Sequence, residues 1–106
     1  MAISIRTGRG LYALKALSGP ERAAHATTLT IALERSDGIE RLTLKCRIAD
    51  DLLAPEGPRS ADAIVARMAP WIEREFERVR DAALKTIRSE HRLNEIIFDS
   101  SARGPF

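Results

Sequence analysis

The chain has 106 residues, 44% of them hydrophobic, enough for one domain that buries roughly two-thirds of its unfolded surface without a metal or a disulfide. Fourteen arginines and three lysines face fifteen acids for a net charge of +2, which excludes the dense basic patch of a dedicated nucleic-acid binder. No run approaches the length of a membrane span, and the single cysteine, Cys46, excludes an intramolecular disulfide and points to a reducing, cytoplasmic setting.

Ala2–Arg6 alternates Ile3 and Ile5 with polar neighbours and reads as a short strand. The first twenty residues lack acids, but Lys15 interrupts the apolar core that a targeting peptide needs. Thr7-Gly8-Arg9-Gly10 reads as a turn. Leu11–Leu17 fits a strand of a first hairpin, or a helix with Leu11, Leu14 and Leu17 on one face; the run is short for a helix, which favours strand. Ser18-Gly19-Pro20-Glu21 reads as a break, followed by an alanine-rich connection with room for one helical turn.

The strongest local signal comes next. Leu29, Ile31 and Leu33 alternate with Thr28, Thr30 and Glu34 across Thr27–Arg35. After the turn residues Ser36-Asp37-Gly38, Leu42, Leu44, Cys46 and Ile48 alternate with Arg41, Thr43, Lys45 and Arg47. Period-two alternation on both sides of an Asp-Gly predicts a β-hairpin with one apolar face. Ala54-Pro55-Glu56-Gly57-Pro58, after Ala49–Leu53, cannot remain in a ladder.

Ser60 suits an N-cap and Asp62 the first turn of a helix. On a helical wheel Ile64, Val65, Met68, Ala69, Ile72, Phe76, Val79, Ala82, Ala83 and Ile87 fall within an arc of about 140°. Pro70 lies on the opposite side, so a bent helix or two abutting helices both fit. The stripe keeps its phase across Pro70, which favours one long helix over 60–94, bent there. Glu90 re-enters the arc, so the core-facing part ends near Ser89. Glu95-Ile96-Ile97-Phe98-Asp99 packs either as the helix end or as a short returning strand, and 100–106 reads as a frayed tail. The expected architecture is α+β in two layers, with an antiparallel four-stranded meander over 2–49 packed on a long, bent C-terminal helix, all in one domain spanning 1–106.

Candidate chemistry is sparse. His25, His91, Cys46, Asp50 and Asp51 would have to meet in a pocket to form a site, and no metal-ligand or nucleophile spacing joins them. Thr7-Gly8-Arg9-Gly10 lacks the further glycine or Gly-Lys-Ser/Thr of a phosphate cradle. No catalytic residue, metal or cofactor is therefore expected. A basic ridge of Arg67, Arg74, Arg78, Lys85 and Arg92 spans about 40° of the wheel. With Arg41, Lys45 and Arg47 on the polar hairpin face, it offers phosphate contacts. An adjacent acidic ridge of Glu73, Glu77 and Asp81 offsets it, and no aromatic is interleaved to stack on bases. Trp71, Glu75 and Phe76, at and within the apolar arc, are the candidate association surface. The expectation is a small cytosolic interaction or regulatory module without catalysis, assembled as a homo-oligomer, most simply a homodimer. Nucleic-acid binding is the alternative, and no membrane partner is expected.

Overall fold

The computed structural model describes residues 2–23, 26–49, 60–85 and 95–98. In chain order they form β1 (Ile3–Thr7), β2 (Gly10–Ala23), β3 (Ala26–Arg35), β4 (Arg41–Ala49), α1 (Ala61–Arg74), α2 (Phe76–Lys85) and β5 (Glu95–Phe98). The five strands make one sheet in sequence order. The first four pair antiparallel as the meander expected from the alternation, and Leu11–Leu17 lies within β2 as strand.

Register explains why one face is apolar. Ile3, Leu14, Leu33 and Leu42 are successive cross-strand partners, as are Ala16, Ile31 and Leu44, and Leu29 with Cys46. Because side chains alternate across a strand, these rows all face the same way. They meet Ile64, Val65, Met68, Ile72, Phe76, Val79 and Ala83 of the helices in one buried cluster. The hairpin turn is closed by the Gly38 amide donating to the Arg35 carbonyl at 2.8 Å, and the Ile39 amide donating to Asp37 Oδ1 at 2.9 Å. Gly38 has φ +76, a conformation that favours glycine.

Three expectations are corrected. First, Ser18-Gly19-Pro20-Glu21 does not end a strand. β2 runs through it to Ala23, with register shifts between Ala16 and Ser18 and between Ser18 and Glu21. A bulge accommodates a proline because residues left out of the ladder need no N–H donor. The Gly19–Pro20 peptide is cis and Gly19 has φ +101. A Cβ at Gly19 would lie 3.0 Å from the Thr28 carbonyl oxygen, so the position requires glycine twice over. Second, no helical turn directly precedes Thr27, because β3 already begins at Ala26; Ala24 and His25 lie outside the described residues.

Third, the single long helix is two helices. α1 starts as expected, with Ser60 Oγ accepting from the Ala63 amide at 3.2 Å, and carries Pro70 exposed on its solvent side. The break falls at Glu75 (φ −114, ψ 32) instead of Pro70. The Glu75 amide still donates to the Trp71 carbonyl and the Val79 amide to the Glu75 carbonyl, so Ile72 and Phe76 keep their helical spacing and the apolar stripe stays in phase. The reason is the sheet beneath. α1 packs on β1 and β2, whereas α2 packs on β4 and β5. Adjacent strands are rotated by roughly 20–25°, so one rod cannot lie flat on both halves.

Of the two readings of the tail, the strand is the one found. β5 pairs parallel to β4, with Lys45 opposite Glu95 and Ile48 opposite Phe98, and the helical layer provides part of the crossover that parallel neighbours need. The remainder of the expected helix, 86–94 with His91 and Arg92, lies outside the described residues, as do Asp50, Asp51 and the 100–106 tail.

Candidate functional site

Where the two hairpin turns meet α2, a polar cluster forms that no sequence pattern announced. The Tyr12 hydroxyl donates to Glu40 Oε1. The Arg80 guanidinium holds the same carboxylate in a fork, Nη2 to Oε2 at 2.8 Å and Nε to Oε1 at 3.0 Å. The Arg80 and Tyr12 hydrogen bonds hold the Glu40 carboxyl down at about 2, against the opposing effect of partial burial. Burial, then the bond to Glu40, pushes the Tyr12 phenol up from its ordinary value. Nearby, Arg9 in the β1–β2 turn forks onto Glu77 at 2.8 and 3.0 Å, which keeps the Glu77 carboxyl below its usual range.

These contacts clamp both turns to α2. Forked Arg–carboxylate pairs are geometrically specific. The Glu40 carboxylate accepts from both Tyr12 and Arg80, whereas Glu77 accepts from Arg9 and stays open to solvent. The cluster is a structural clasp. Sequence reading passed over Glu40 and Arg80 because they are distant in the chain. The only available signals were the inward alternation of Tyr12 with Leu14 and the place of Arg80 one residue after the core position Val79.

Beside the clasp, Arg6, Thr7, Gly8 and the α1–α2 junction from Glu73 to Arg78 line an open groove of about 370 Å³. At its floor the Arg6 amide donates to Glu73 Oε2 at 2.7 Å. β1 is an edge strand, and exposed edge amides are templates for unwanted pairing. The Glu73 carboxylate therefore blunts the edge. Glu73→Ala is expected to lower stability by roughly 1 kcal/mol or less, since the pair is exposed. It should also speed amide hydrogen exchange at Arg6 while exchange in β3 stays unchanged; equal Arg6 exchange in the two proteins would remove this role.

Among the described residues both helices lie on one face of the sheet. The opposite face is formed by the alternate residues, including Leu11, Ala13 and Lys15 on β2, Thr28, Thr30, Ala32 and Glu34 on β3, and Arg41, Thr43, Lys45 and Arg47 on β4. Lys15, Arg41, Lys45 and Arg47 are exposed, whereas Thr28, Thr30 and Thr43 are half-buried. Ala32 is only 1% exposed although it faces away from the helices. Its cross-strand neighbours are Lys15 and Thr43, longer side chains that shield a short one. The face is thus a floor of small residues bordered by cations.

The structure divides the residues singled out by sequence. Arg41, Lys45 and Arg47 lie on the open sheet face, whereas the exposed Arg67, Arg74, Arg78 and Lys85 lie on the helical layer. The two sets point to opposite sides and do not form one nucleic-acid surface. The helix break also places Arg67 and Arg74 on α1 and Arg78 and Lys85 on α2, and Lys85 pairs with Asp81 at 3.6 Å. Of the association set, Phe76 is buried at 4% exposure and stacks on Tyr12 at 4.6 Å between ring centroids. Trp71 and Glu75 are half-buried at the rim. Cys46 is fully buried in the core.

Among the described residues no helix is long and apolar enough to cross a membrane, and no group of three or more metal-ligating side chains is gathered. Among the described residues, fold and surface together define an α+β protein with both helices on one sheet face and exposed cations on the other. Comparison with protein-family models, curated protein sequences and solved structures gave no match.

Proposed function

We propose that this chain is a non-catalytic interaction module whose open sheet face receives an acidic protein partner. The observation that carries the reading is the gathering of Lys15, Arg41, Lys45 and Arg47, all exposed, on the sheet face opposite the helices. Among the described residues the acids at register positions of this face are Glu34, opposite Arg41, Glu21, opposite Thr28, and Glu95, opposite Lys45, and the four cations outnumber them. A flat face edged by one sign of charge steers and orients a partner of opposite sign more than it adds raw affinity.

The test is titration of the isotopically labelled chain with poly-L-glutamate, followed by amide chemical shifts. Shifts confined to β2, β3 and β4 that fade as salt rises to physiological strength are expected. Shifts confined to α1 and α2, or none, would overturn the reading. A single-stranded oligonucleotide that binds more tightly at equal charge would replace it with the nucleic-acid alternative.

A further inference from the structure

Resting on that reading of the sheet face, we propose that its occupant is an acidic amphipathic α-helix of a partner protein, laid along β3 between Lys15 and Lys45. The lane has the right width. Lys15 stands beside Ala32 and Lys45 beside Thr30. The two cations therefore lie one strand to either side of β3 and two residues apart along it, about 12 Å, the diameter of a helix with side chains. Its accessible floor is the half-buried Thr28 and Thr30, short side chains that let the larger apolar residues of an incoming helix approach the sheet, while Ala32 is itself 1% exposed. Leu11, 46% exposed on the same face, adds an apolar contact near one end.

Charge spacing fits as well. Lys45 and Arg47 lie two residues apart on one strand face, about 7 Å, close to the rise of about 6 Å between positions i and i+4 of a helix. Carboxylates along each flank of an apolar stripe therefore face Lys45 and Arg47 on one side and Lys15 on the other. Glu34 marks where the cationic lane ends. Nucleic acid fits less well. Single-strand binding surfaces stack bases on aromatic side chains, and the outward positions of β1 to β4 among the described residues carry none.

The experiment measures binding of two synthetic glutamate-rich peptides of about twenty residues, long enough to form a helix. One carries leucine and alanine at helical spacing; the other has the same composition scrambled to destroy the stripe. The striped peptide is expected to bind about tenfold more tightly, with helical circular dichroism appearing on binding. The double variant Lys15→Glu/Lys45→Glu is expected to lose about tenfold of that affinity, with a small loss of stability because the new carboxylate at position 45 stands opposite Glu95. The neutral pair Lys15→Gln/Lys45→Gln serves if the reversal perturbs folding. Equal binding of the two peptides would overturn the helical occupant and leave the acidic-partner reading standing. Failure of both peptides and of poly-L-glutamate would overturn both. Tighter binding of a single-stranded oligonucleotide than of the striped peptide would assign the face to nucleic acid.

Discussion

Phe76→Ala is expected to cost about 3–4 kcal/mol of folding stability, the range for removing a buried aromatic from a packed core. Phe76 opens α2 directly after the break at Glu75, so it anchors the second helix at the point where the chain changes direction. Its ring rests on Tyr12 at 4.6 Å, tilted by 48°, and such aromatic pairs add roughly 0.5–1.5 kcal/mol beyond buried area. The same ring holds Tyr12 in place for its bond to Glu40, so truncation also loosens the clasp. Phe76→Leu, which keeps most of the volume, is expected to cost less than half as much. The half-buried Trp71 gives the contrast, and Trp71→Ala is expected to shift stability less than Phe76→Ala. Urea unfolding of the three variants checks this through midpoints at constant slope. A Phe76→Ala protein as stable as wild type but altered in self-association would return Phe76 to the surface role suggested by its place on the helical wheel.

That wheel shows what sequence can carry in this fold and where it stops. The alternation of Leu29 to Leu33 and of Leu42 to Ile48 is a local pattern that encodes both strand and facing, and β3 and β4 have that register. The stripe from Ile64 to Ala83 encodes helix and buried face equally well. It cannot encode direction. A one-residue break that preserves the Ile72–Phe76 spacing is invisible on a wheel, and its cause is a twisted sheet that exists only after strands assemble. The bulges around Gly19 and Pro20 were hidden for a related reason. The same dipeptide closes a strand or is absorbed within one, and the choice depends on whether a partner strand continues alongside. The open sheet face was half legible: Arg41, Lys45 and Arg47 were recognisable as outward residues. Their neighbour Lys15 was not, because its strand had a competing helical reading. The clasp lay beyond reach, since it joins Tyr12, Glu40 and Arg80 across the whole fold through contacts with no sequence period.

Glu40 in that clasp is expected to dominate the acid limb of stability. Its carboxyl is held at about 2 in the folded protein, against an ordinary value near 4.5 when unfolded. A depressed folded value means that the unfolded chain takes up the proton first. The contribution is therefore fully present above pH 4.5 and is lost as pH falls from 4.5 through about 2. With partial screening at the rim, where the Glu40 and Arg80 side chains are 18% and 23% exposed, it amounts to about 2–3 kcal/mol. Glu40→Gln should remove this amount at neutral pH, because Arg80 loses its counter-charge. The variant should then lose less stability than wild type between pH 4.5 and 2, so that the two curves converge near pH 2. Asp37 and Glu77, whose carboxyls are lowered by Arg35 and Arg9 respectively, titrate in both proteins and leave a shared residual slope. Urea midpoints from pH 7 down to pH 2 supply the measurement. Parallel curves would show that Glu40 is no more constrained in the folded state than in the unfolded one, and convergence would identify the Tyr12–Glu40–Arg80 contact as the acid-labile joint between the turns and α2.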